Sequence, residues 1–300
     1  MDGVNPDIKR FVLSIPLLAG LWMLPLSCGN GNKTQPTAPV DENSDGDSME
    51  LLARRFVVDI VSAREETLTT VIIHPSPAQI VAAVILLEGD DGTILLGGTT
   101  DDPEIQSEGF LARNADAFAS EGFLVALVGA PSDYPGGVDH EYRISAQQSQ
   151  DVAAVVSWIN DRSSMVLKIQ PTIWVLGMSL GTYSATNSAI RLNSLIDGFA
   201  LCSPSTAPTG GPLPNGILDM EIDQIGVLAI IVGHQDDTCP GTPPSGVAAI
   251  ANGLTSATSI TQRIFTGGST PESQPCGPKS PHGYYGIDQK VVAYMAGVMQ

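Results

Sequence analysis

A serine flanked by glycines, Gly177-Met178-Ser179-Leu180-Gly181, follows the β-type run Thr172-Ile173-Trp174-Val175-Leu176 and precedes the helix-compatible Tyr183-Ser184-Ala185-Thr186. The pattern predicts a strand, a sharp turn with Ser179 at its apex, and a helix. Neither glycine carries a Cβ, so strand and helix can approach closely around the serine. Its Oγ would stand exposed at the C-terminal edge of a sheet. The Leu180 N–H would sit at a helix N-terminus, facing the place where an oxyanion could form. The chemistry open to such a serine is nucleophilic, and it needs two partners: a histidine to take the proton and an acid to hold the histidine.

On this kind of scaffold the acid and then the histidine follow the serine in chain order, each just after a later strand. Residues 226–232 read as a strand and lead into Gly233-His234-Gln235-Asp236-Asp237-Thr238-Cys239-Pro240. Asp236 fits the place of the acid, with Asp237 as its near rival. His282, in Ser280-Pro281-His282-Gly283-Tyr284, falls between the last strand and the final helix and is the candidate base. The remaining histidines, His74, His140 and His234, read as loop or surface residues. No metal-ligand spacing is present, so neither a metal nor an organic cofactor is expected.

These residues need a scaffold. Residues 56–61 and 68–73 suggest an antiparallel pair of strands. Buried strands are expected at 81–87 and 123–129, further strands at 172–178, 196–202, 226–232 and 260–265, and helices at 103–120, 144–159, 181–192, 247–254 and 285–299. The stretch 203–224, rich in Pro and Gly, reads as a long connection. Strands alternating with helices predict an α/β domain with a doubly wound, mostly parallel sheet and helices on both faces, spanning 51–300.

The 300 residues, 43% of them hydrophobic, can build one substantial core. A net charge of −18 argues against nucleic acid and against charge-driven binding to anionic membrane. At the N-terminus, Lys9 and Arg10 precede an apolar run from Phe11 to Leu26, followed by Ser27 and Cys28. Residues 1–28 are expected to be a signal peptide of lipoprotein type, with Cys28 as the acylated residue. Residues 29–50, polar and acidic, read as a solvated tether. The protein is thus expected to be exported to the cell envelope or secreted, to meet the membrane only through a lipid anchor, and to be a monomer. Of the four cysteines, Cys28 follows the leader and Cys202 falls in a strand. Cys239 and Cys276 remain to form a disulfide joining the acid loop to the histidine loop.

Together these features resemble the α/β-hydrolase superfamily of serine esterases. Gly109-Phe110-Leu111-Ala112-Arg113, Ala130-Pro131-Ser132-Asp133 and the paired cysteines look like a secreted bacterial branch. The resemblance covers the chain from about Phe56 onward. It implies the α/β-hydrolase fold and an oxyanion hole formed by the N–H groups of Leu180 and Asp90. The superfamily often has His-Gly where this chain has Glu88-Gly89, followed by Asp90 and Asp91. Carboxylates there would oppose a developing oxyanion unless they point away from it. The expected activity is hydrolysis of a small or polymeric carboxylic ester through a Ser-His-Asp triad. The alternatives are a peptidase or other acyl hydrolase, or a non-catalytic binding lipoprotein on the same scaffold.

Overall fold

The structure is a computed structural model that describes residues 55–75, 80–167 and 169–300. The expected signal segment with Cys28, and the tether after it, lie outside the described residues. In chain order the strands are β1 (Arg55–Val61), β2 (Thr67–Ile73), β3 (Ala82–Leu87), β4 (Leu96–Gly98), β5 (Pro103–Ile105), β6 (Phe123–Pro131), β7 (Thr172–Met178), β8 (Gly198–Cys202), β9 (Leu228–His234) and β10 (Ser259–Phe265). The helices are α1 (Phe110–Arg113), α2 (Ala115–Ser120), α3 (His140–Arg143), α4 (Ala146–Arg162), α5 (Gly181–Arg191), α6 (Ser245–Gly253) and α7 (Asp288–Met299).

Eight strands form one sheet in the order β1-β2-β6-β3-β7-β8-β9-β10. From β6 to β10 all neighbours are parallel, while β1 and β2 pair antiparallel with each other and β2 pairs antiparallel with β6. The inner parallel strands β3, β6, β7, β8 and β9 read as largely apolar runs because both of their faces are covered, whereas the edge strand β10 is mostly exposed. Every residue of β3 is buried. Alternation along it sends Ala83, Ile85 and Leu87 to one core, with Val152 and Ile159 of α4 and Val247 and Ile250 of α6. Ala82, Val84 and Leu86 go to the other core, with Phe110, Phe118, Val291 and Met295. The sheet is therefore doubly wound, with helices on both faces, as the sequence predicts.

One expected helix is corrected. Residues 103–120 do not form a single helix: Pro103–Ile105 is a strand paired with Leu96–Gly98, and helical structure begins only at Phe110. Pro103 supplies no backbone donor to a preceding turn, and the hairpin gives this polar stretch an alternative set of bonds. The excursion 90–109 stands over the C-terminal edge of the sheet, where its residues Thr93, Leu95 and Ser107 help wall a cavity.

Candidate active site

The strand β7 ends at Met178, and Ser179 follows with φ 51°, in the left-handed region that a non-glycine residue seldom occupies. Ser179 N–H donates to the Cys202 carbonyl (3.0 Å), which ties the turn to the neighbouring β8. Both glycines of the motif are needed for steric reasons. A Cβ on Gly177 would lie 2.3 Å from the Gly181 carbonyl oxygen, and one on Gly181 would lie 2.2 Å from that of Leu87. The turn is the sharp elbow that the sequence predicts, and Leu180 is the N-cap of α5.

The histidine and an acid converge behind the same edge. His282 Nδ1 lies 2.9 Å from Asp237 Oδ2, and both side chains are buried. The acid that meets the histidine is thus Asp237, which corrects the expectation of Asp236. Asp236 is exposed and uses its backbone N–H to bond His234 Nδ1 (3.1 Å). The register is decided just beyond β9. Asp237 Oδ1 accepts from Cys239 N–H (2.9 Å) in a local turn of the Asx type, and Oδ2 accepts from Thr242 Oγ1 (2.9 Å). Thr242 Oγ1 also lies 3.0 Å from His282 Nδ1. With Nδ1 facing a carboxylate it carries the hydrogen, which leaves the Nε2 lone pair of a neutral ring free.

The histidine loop is fastened from several sides. Ser203 Oγ donates to the His282 carbonyl (2.8 Å), and the Tyr284 hydroxyl donates to the Val232 carbonyl (3.0 Å). Burial raises the Tyr284 pKa well above its usual value, so this hydroxyl stays a donor. Arg113 bonds the Gly283 carbonyl and pairs with Asp288 at the start of α7. Cys239 and Cys276 form the expected disulfide, with Cα atoms 4.7 Å apart, joining the acid loop to the segment before His282. Cys202 is a buried free thiol in β8, and burial pushes its pKa up.

Ser179, His282 and the disulfide line one cavity of about 830 Å³. Its walls include Phe110, Met178, Leu180, Pro208 and Pro278. Next to Ser179 the loop after β3 packs on the elbow: a Cβ on Gly89 would meet the Met178 oxygen at 2.9 Å and Ser179 Cβ at 3.0 Å. Among the described residues, neither Leu180 N–H nor Asp90 N–H donates to a protein acceptor. The acidic residues Glu88, Asp90 and Asp91 of this loop also line the cavity. Asp90 and Asp91 are exposed. Glu88 is buried and its carboxylate accepts from Ala112 N–H (2.6 Å) and Gly89 N–H (3.2 Å), capping α1. Burial raises its pKa, opposed by those N–H groups and by Arg113.

The sequence alone gives no sign of Thr242, Arg113 or Arg143 as parts of this site. Thr242 carries no motif, and long basic side chains ordinarily lie on the surface. Among the described residues no group of three or more His, Cys, Asp or Glu is placed to hold a metal ion.

No protein-family model matches this sequence, and the search of curated proteins found no match. Solved structures are similar in shape. An esterase of Pyrococcus furiosus matches with a TM-score of 0.58 at 14% identity, over 88% of this chain and 96% of the other. A thermostable carboxyl esterase of Bacillus coagulans matches with a TM-score of 0.54 at 12% identity, over 82% and 99%. Dipeptidyl peptidase 4 of Porphyromonas gingivalis matches with a TM-score of 0.53 at 14% identity, over 82% of this chain and 35% of that one. With its strand order, its crossovers and the sharp turn after β7, this chain has the α/β-hydrolase fold.

Proposed function

We propose that the chain is a serine hydrolase that cleaves carboxylic esters through Ser179, His282 and Asp237. The observation that carries this reading is the buried Asp237–His282 contact of 2.9 Å, opening on the cavity that also holds the strained Ser179. Ser179 Oγ attacks the ester carbonyl, and His282 Nε2 takes its proton. Asp237 holds the ring in the required tautomer and stabilises the imidazolium that forms. Thr242 spreads the carboxylate charge through its hydroxyl. The carbonyl oxygen, now negative, is received by the free N–H groups of Leu180 and Asp90, the first of them aided by the positive end of α5. His282 then protonates the leaving alcohol, and water repeats the sequence to release the acid.

The apolar side chains on the cavity wall suit an ester with a modest apolar acyl or alcohol part. Hydrolysis of amides is the second reading, because the same triad serves both bonds and the fold is shared with a dipeptidyl peptidase. The Cys239–Cys276 disulfide supports an oxidising compartment and hence export, with Cys28 proposed as the site of lipid attachment.

The test is a panel of p-nitrophenyl esters and matched anilides offered to the protein and to Ser179→Ala. Turnover of short esters that is lost in Ser179→Ala supports the reading. Faster turnover of the anilides would favour the amidase. No turnover of either class by folded protein contradicts both.

A further inference from the structure

Arg143, the last residue of α3, is 2% exposed. Among the described residues no carboxylate lies within 4.0 Å of it, so it is a buried cation without an ion-pair partner. A cation in that position is costly to bury and needs compensation. Its partners are backbone carbonyls of the loop beside the elbow. Nη1 donates to the Glu88 carbonyl (3.2 Å), and Nη2 to those of Gly89 (3.3 Å) and Asp90 (3.0 Å). Nη1 also reaches Ser184 Oγ (3.3 Å), on the helix that follows Ser179. Burial lowers its pKa to about 10, with the carboxylates of Asp91, Glu88 and Asp90 among the charges that oppose the shift, so the group remains charged at neutral pH.

These contacts have a directional consequence. A trans peptide holds its C=O and N–H antiparallel, and the described chain contains no cis bond. The Gly89 carbonyl is taken on one side by Arg143 Nη2 and by Gly92 N–H (2.9 Å). The N–H of Asp90, in the same peptide plane, must therefore face the opposite way. Asp90 itself is held at φ 46°. The fork of the guanidinium grips three successive carbonyls, a geometry that a lysine ammonium does not reproduce. By reaching Ser184 it also fixes this loop against α5, whose cap supplies the Leu180 N–H.

We propose that Arg143 is the positioning residue of the oxyanion site: by gripping the carbonyls of residues 88–90 from behind, it aims the Asp90 N–H at the acyl oxygen of a bound ester. The proposal rests on the esterase reading above. Arg143 does not touch the substrate. It sets the direction of one donor and polarises that donor's peptide, adding positive charge behind a loop that carries three carboxylates in its sequence.

The experiment compares an ester with the thionoester of the same skeleton, in which sulfur replaces the acyl oxygen and accepts hydrogen bonds poorly. The wild type should favour the oxygen ester. In Arg143→Gln the ester kcat should fall about 10²-fold with KM little changed, as for loss of one oxyanion donor. The thionoester should fall much less, so the ratio of the two collapses. Arg143→Lys should recover part of the ratio. Parallel losses with an unchanged ratio in folded Arg143→Gln would show a structural brace only and overturn the proposal. Should that variant not fold, the wild type gives the answer: with a boronate on Ser179, the amide protons of both Asp90 and Leu180 should move downfield. An Asp90 proton that stays in place while that of Leu180 moves overturns the proposal. A wild type that hydrolyses neither substrate removes the esterase reading and this role together, whereas an active wild type with an unchanged ratio in Arg143→Gln removes this role alone.

Discussion

His282 Nδ1 lies 2.9 Å from Asp237 Oδ2, and that oxygen also accepts the hydroxyl of Thr242. Two buried donors therefore converge on one carboxylate oxygen, while the other oxygen is capped by Cys239 N–H. In Asp237→Asn the new amide would offer a donor to Nδ1 and favour the wrong tautomer of His282. The expected outcome is a fall in kcat of about 10⁴-fold. Asp236→Asn, altering an exposed side chain, should stay within about threefold of wild type, a change smaller than ~1 kcal/mol. Steady-state kinetics of the two variants checks the assignment.

Thr242→Val keeps the shape of the side chain and removes the hydroxyl. The Asp237 carboxylate then loses a buried donor, at about 1–3 kcal/mol. Activity should drop by about 10-fold or more, with KM nearly unchanged. Equal activity would show that Thr242 only fills space.

The disulfide between Cys239 and Cys276 closes a loop with a sequence separation of 37. Chain entropy assigns such a loop about 4 kcal/mol. Replacing both cysteines by alanine, or reducing the native bridge, should lower the midpoint of denaturation. Activity should fall at temperatures where the protein is still folded, because the acid and histidine loops are no longer tied. The measurement is activity against folded fraction during titration with a phosphine reductant.

His74 is buried, stacks on Phe56 (centroids 5.9 Å) and, among the described residues, neither of its ring nitrogens has a hydrogen-bond partner. Burial, aided by Arg162, lowers its pKa from 6.5 to about 4. Between those values the unfolded chain binds a proton that the folded chain does not. Stability is then lost as pH falls from 6.5 toward 4, by at most ~3 kcal/mol from this residue. His74→Phe should flatten the dependence of Tm on pH in that window, measured by thermal melts from pH 7.5 to 4.5. An unchanged slope would assign the acid sensitivity to other groups.

Much of the molecule is legible in its sequence because local pattern and tertiary role coincide. The continuous apolar runs announce strands covered on both faces. The glycines around Ser179 are required by contacts of 2.2–2.3 Å that any Cβ would make. The cysteines on two loops pair as expected. The sequence misleads where two neighbours compete or where contacts are distant. Asp236 and Asp237 lie past the end of β9, where alternation no longer dictates direction. Thr242 and Cys239 N–H choose between them, and that choice is visible only in the fold. The strand at Pro103–Ile105 depends on a partner it does not announce. Arg143 belongs to a residue type normally found on the surface, and only the folded loop supplies the carbonyls that make its burial tolerable.

The central claim is that Ser179 is an activated nucleophile. Intact-mass spectrometry after treatment with a fluorophosphonate tests it most directly. A single adduct is expected, mapped to Ser179, absent from Ser179→Ala and formed far more slowly by His282→Ala. Folded protein that takes up no adduct would show that Ser179 is not an activated nucleophile.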